Sequence, residues 1–192
     1  MAALGNNVIH VPQAVEDEIN DTPNRHPQFK RATEVWNRKL PERFKQIIPD
    51  RPTDELRRCC RSVLGIDFDQ MYAQRKDRGE NMAILHGVLR ARAGHKVILI
   101  CDDEGGIALI RRQARILRMQ HMQGLHVPGG QIQLATTVTL LQWAIQSGKF
   151  ESKEQLIKKY RAMAQLDSAL PSDIKDTGLL NRSLWTASQE NN

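Results

Sequence analysis

The chain has only three cysteines in 192 residues, and they do not make a disulfide framework. Cys59 and Cys60 are adjacent, and Cys101 closes an apolar run. No Cys/His spacing suits zinc, so the three read as buried, reduced thiols. Long apolar runs are missing too. The longest, Val97-Ile-Leu-Ile-Cys101, falls far short of the ~20 residues of a membrane helix. The opening Met1-Ala-Ala-Leu-Gly-Asn-Asn7 lacks the basic and apolar regions of a signal peptide. A cytoplasmic chain with no membrane association is expected. There is no GxSxG, Walker or GxGxxG pattern, so a serine or thiol nucleophile and a phosphate loop have no support. The histidines (His10, His26, His86, His95, His121, His126) show no metal spacing. No internal repeat or low-complexity segment is present.

What is present is close to the average of soluble globular chains: 40 % hydrophobic and 26 % charged residues. The length fits one domain with a small appendage. Lys and Arg number 28 against 22 Asp and Glu, a net charge of +6 that permits a polyanionic partner without demanding one.

Short β-branched runs alternate with helical spacings. Val8–Val11 reads as a strand, and Pro12 opens a helix over Gln13 to Asn20. Asn20 to Pro27 reads as a loop. Phe29 to Leu40 forms a helix that Pro41 breaks, and Phe44 to Ile48 a second strand. Thr53 starts a helix carrying Arg57, Arg58 and Arg61, and a short helix follows over Asp67 to Lys76. Gly79 to Ala93 has Met82, Leu85, Val88 and Leu89 at helical spacing. Lys96 to Cys101 reads as a strand buried on both faces, central in a parallel sheet. A helix from about Ile107 to Gln120 places Arg111, Arg115 and Arg118 in one stripe. After the loop Gly124–Gly130 come a strand over Gln131–Leu134 and a helix over Ala135–Ser147. A last helix over Ser152–Ala164 opens on a Ser152/Gln155 capping box. The fold predicted is a three-layer α/β/α sandwich with a mostly parallel sheet, whose ligands bind beyond the carboxyl ends of its strands.

Acids sit at such ends. Asp102 and Asp103 follow the best strand directly. Two adjacent carboxylates are costly unless a cation neutralises them, or else one of them merely caps the next helix. Glu80 opens the helix before that strand, where an acid ordinarily compensates the helix dipole. Glu18, beside Ile19, lies at the rim of a helix's core face, while a solvated helix surface explains Glu16 and Asp17.

In order and spacing these segments resemble the PIN-domain nucleases. The stretch from Gly79-Glu-Asn-Met-Ala-Ile-Leu85 through Gly94-His-Lys-Val-Ile-Leu-Ile-Cys-Asp-Asp-Glu-Gly-Gly106 is similar to the family's acidic helix start and its strand ending in aspartate. Val8–Ile19 resembles its second strand and helix, with Glu18 at the acid. Gly124–Gly130, Thr136–Leu141 and Gly148 resemble the segment leading into its closing helices. The resemblance runs over about residues 8–165, which implies a PIN-like domain over 1–165 and a C-terminal tail over 166–192.

Such a likeness implies a metal-dependent ribonuclease, of the kind that serves as the toxin of a toxin–antitoxin pair. Glu80, Asp102 and Asp103 would be its catalytic residues. With Glu18 they would hold Mg2+ or Mn2+, which polarises the scissile phosphate and lowers the pKa of a bound water. Arg111 and Arg115 would hold the RNA backbone. The implied partners are RNA, an antitoxin protein and a second copy in a homodimer. One element departs from the pattern: the family's first, central strand, which ends in aspartate, has no counterpart before Glu16. A start displaced downstream is the favoured expectation. A catalytically inactive, PIN-like protein-binding module and the closure of the two flanking strands on each other are the alternatives.

Overall fold

The computed structural model describes residues 8–38, 40, 42–125, 129–167 and 169–186. Expectations for Met1–Asn7, Pro41, the middle of the Gly124–Gly130 loop and the last residues lie outside that range. The protein is a mixed α/β chain with short parallel strands. In chain order its elements are β1 (Ile9–Pro12), α1 (Gln13–Arg25), α2 (Lys30–Arg38), β2 (Lys45–Ile48), α3 (Asp54–Leu64), α4 (Phe68–Ala73), α5 (Arg78–Arg92), β3 (Lys96–Ile100), α6 (Glu104–Met122), β4 (Gln131–Ala135), α7 (Thr137–Gln146), α8 (Lys153–Ala164) and α9 (Arg182–Thr186).

The strands make two separate pairs, β1–β2 and β3–β4. In the first, Ile9 stands opposite Lys45 and Val11 opposite Ile47. In the second, Gln131 N–H donates to His95 O at 3.1 Å and Cys101 N–H to Ala135 O at 3.0 Å. Closure of β1 on β3 is not found among the described residues. β3 is also not buried on both faces, as its aliphatic run predicts. Leu99 is buried, but Ile98 and Ile100 are 44 % and 45 % exposed. The reason is local: the pair has two strands and α5 covers one face. Gly87 has no side chain, so Leu99 packs onto the α5 backbone, with Leu99 Cδ2 2.6 Å from where a Cβ would stand.

The expected loop after Asn20 is helix instead. α1 continues through Pro23 to Arg25. Pro23 has no N–H to give the carbonyl of Ile19, but the Thr33 hydroxyl from α2 donates to that oxygen at 3.1 Å. A side chain from the next helix replaces the missing donor. Glu16 is not simply solvated either. It accepts from Trp36 Nε1 at 2.6 Å and from Lys45 Nζ at 3.1 Å, tying α1 to α2 and β2.

The chain divides into two compact units. One holds the residues from Val8 to Leu99 and from Glu104 to Leu134; the other holds Ile100–Asp103 and the described residues from Ala135 on. In the first, α5 supplies the densest part of the core, with Met82, Ile84, Leu85, Val88 and Ala91 buried. The second has its own core of Leu141, Ile145, Leu156, Tyr160, Leu170, Ile174 and Leu179. Leu170, Ile174 and Leu179, all beyond residue 165, belong to this core. Tyr160 Oη donates to Pro171 O at 2.6 Å, Lys153 Nζ to Leu180 O at 2.7 Å and Trp185 Nε1 to Leu179 O at 2.9 Å. Apolar residues spaced through a Pro- and Gly-containing segment gave no helical period to read, yet they close this core.

Candidate functional site

Glu18 and Glu80 belong to the first unit, and Glu80 stands in the first turn of α5. Glu18 Oε2 lies 2.8 Å from where a Cβ on Gly79 would stand, so the carboxylate rests on the backbone one residue before Glu80. Asp77, the N-cap of α5, has φ 57° and gives no side-chain cap. Carboxylates near a helix start are favoured there by its unpaired N–H groups. The side chain of Glu18 is exposed and that of Glu80 half-buried.

Asp102 and Asp103 belong to the second unit. Asp102 does cap a helix, α7, 35 residues on in the sequence. Thr137 N–H donates to its Oδ1 at 2.9 Å and Thr137 Oγ1 to its Oδ2 at 2.6 Å. Thr137 is the first residue of α7, and its N-cap Thr136 accepts from Thr139 N–H at 3.2 Å. Asp102 and Thr136 together satisfy two of the N–H groups that a helix start leaves unpaired. Asp103 is exposed. Glu104 opens α6, as expected of a first-turn acid.

Asp102→Ala removes both acceptors from α7. It is expected to lower stability by about 1–2 kcal/mol, the usual cost of losing a helix cap, whereas Asp102→Asn keeps one carbonyl oxygen and loses less. Urea unfolding followed by circular dichroism measures both; equal midpoints for Asp102→Ala and the parent would show that the bonds to Thr137 contribute nothing.

The two basic runs of the sequence separate clearly. On α3, Arg57 donates to Asp69 at 2.6 Å and Arg61 to Asp67. The hydrogen bond from Arg57 holds the Asp69 carboxyl below the usual carboxylate range. On α6, Arg112 turns aside to the carbonyl of Val63 at 2.5 Å, in the last turn of α3. Arg111, Arg115 and Arg118 are exposed, and no ion pair ties them among the described residues. The buried side of the same helix is formed by Gly106, Ile110, Gln113 and Leu117. The stripe read from the sequence is thus a true solvent face.

Sequence reasoning missed the most buried carboxylate. Asp50, just after β2, has a side chain only 2 % exposed, and its Oδ2 accepts from Ala14 N–H at 2.6 Å. Cys59 and Cys60 are buried as expected, whereas Cys101 is only half-buried; burial pushes the Cys59 thiol up to about 11. At neutral pH such a thiol is no nucleophile.

Among the described residues no three His, Cys, Asp or Glu side chains are grouped as a metal ion would require. Glu18 Oε2 rests against the start of α5 at Gly79, while the oxygens of Asp102 accept from Thr137. Comparison with models of known families, with curated proteins and with solved structures finds no match.

Proposed function

We propose that this chain binds single-stranded RNA through its phosphate backbone, along the solvent face of α6. The observation that carries this reading is the row of exposed Arg111, Arg115 and Arg118, which no ion pair ties among the described residues. Guanidiniums spaced along one helix face track a polyanion, and releasing its counterions drives binding. On α3, by contrast, Arg57 and Arg61 hold aspartates and only Arg58 is left to solvent. For architecture we propose the three-layer α/β/α sandwich of PIN-like type. In its support, α5 packs against β1 and, through Gly87, receives Leu99 of β3, so one helix serves both strand pairs.

The second reading is a PIN-like ribonuclease that depends on Mg2+ or Mn2+, with an antitoxin protein as its inhibitor. The meeting of Glu18 with the Gly79–Glu80 helix start favours it. A bound metal would supply charge neutralisation at the scissile phosphate. Asp102, as placed, orients α7.

A fluorescent oligouridine tests both readings. Arg111→Ala with Arg115→Ala should weaken its binding and flatten the dependence of log affinity on log salt by about 0.7 per arginine. An unchanged slope would remove α6 from the interface. RNA left intact with Mg2+ or Mn2+ fits a binding module. Cleavage that stops on chelation and in Glu80→Gln would establish the second reading.

A further inference from the structure

The solvent face of α6 carries more than a phosphate backbone can use. Ile116, Met119 and Met122 are 37 %, 53 % and 86 % exposed. Met119 and Met122, four and seven residues after Arg115, share its face of the helix. Single exposed apolar side chains are ordinary, but three within two turns make a patch. From Gly105 to Leu125 the chain has no acid, so the charged residues of α6 beside the patch are all basic.

RNA covers such a surface poorly. Bases stack on flat aromatic rings, and α6 has no Phe, Tyr or Trp. Methionine and arginine are instead enriched where proteins meet, and the flexible thioether adapts to an apolar partner. A second copy presenting the same face would bring two arginine rows together, which like-charge repulsion opposes. Charge complementarity therefore selects an acidic partner, and the methionines select one that is also apolar.

We propose that α6 is the docking site for an acidic amphipathic helix of another protein. Its apolar side chains would cover Ile116, Met119 and Met122, and its carboxylates would face Arg111, Arg115 and Arg118. This goes beyond the RNA reading and does not depend on it, because the methionines carry it. If both hold, the partner and RNA share the arginines and exclude each other.

The probe is a labelled helical peptide with glutamates on one face and leucines at i, i+3, i+4 and i+7, titrated into the full chain. A control peptide has serine at each leucine. The leucine peptide should bind and the serine peptide should bind at least ~10-fold more weakly, a difference of about 1.4 kcal/mol. Met119→Ser with Met122→Ser is charge-neutral and changes exposed positions only. It should weaken the leucine peptide by a similar factor while oligouridine binding stays as in the parent. Equal binding of the two peptides would reduce the site to charge alone and overturn the proposal. So would a methionine variant that binds the peptide like the parent, or one that loses oligouridine as strongly as peptide. Failure of oligouridine to bind the parent chain would end the RNA reading and leave the peptide result standing.

Discussion

Gly130→Ala is expected to unfold at a markedly lower urea concentration than the parent chain. A Cβ on Gly130 would stand 1.7 Å from the carbonyl oxygen of Ala91 and 2.7 Å from its carbonyl carbon. Both are backbone atoms in the last turn of α5, so no rotamer change makes room. The Gly130 backbone would have to withdraw from α5. The next residue makes the first bond of the β3–β4 pair, Gln131 N–H to His95 O at 3.1 Å, and would be drawn away with it. Overpacking that side chains can absorb costs about 1–3 kcal/mol. Backbone against backbone belongs at the upper end, about 3 kcal/mol, with an unchanged slope of stability on denaturant. A parent-like midpoint would show that the approach of Gly130 to Ala91 is no constraint.

Strand and helix positions were largely legible in the sequence because each carries its own period. The aliphatic run Lys96–Ile100, the spacing from Gly79 to Ala93 and the start at Ser152 all reappear as elements. What was illegible depends on residues far apart. Pro23 marks a loop by composition, and only Thr33, ten residues on, supplies the donor that lets α1 pass through it. The burial of β3 was misjudged because a run of Val, Ile and Leu reports hydrophobicity, not how many strands flank it. The arginine stripe of α6 was legible as a stripe. That Arg57 and Arg61 of α3 are paired, while no ion pair ties the α6 stripe among the described residues, required the positions of Asp67 and Asp69. Asp102 was read as a ligand or as a cap of the following helix, but its partner, Thr137, stands 35 residues away on a different helix. Carboxylates at strand ends look alike in sequence whether they serve a metal or a helix start; only their hydrogen-bond partners tell them apart.

Asp50→Ala is expected to cost about as much as Gly130→Ala, for an electrostatic reason. Asp50 stands between Pro49 and Arg51 in a segment that reads as a plain turn. Its carboxylate does the work that the N-cap of α1 cannot. Pro12 has no side-chain acceptor, and the N–H of buried Ala14 finds its partner in Asp50 Oδ2, 36 residues away. Asp50 Oδ1 faces His86 Nε2 on α5 at 3.4 Å, within ion-pair range, though neither atom makes a hydrogen bond among the described residues. One carboxylate thus joins the end of β2, the start of α1 and the middle of α5. Truncation to alanine leaves the Ala14 N–H buried without an acceptor and takes the facing carboxylate from His86. Losing a charged acceptor from a buried donor costs about 1.5–3 kcal/mol. A loss of about 3 kcal/mol is expected. Asp50→Asn retains a carbonyl oxygen for Ala14 and should lose less. Amide hydrogen exchange locates the effect: in Asp50→Ala, protection should fall first at Ala14 and along α1, before α3 or α6. His86→Leu in the parent and in Asp50→Ala completes a double-mutant cycle. A cycle that closes to zero, with Ala14 still protected in Asp50→Ala, would reduce Asp50 to a bystander and return the start of α1 to its own local sequence.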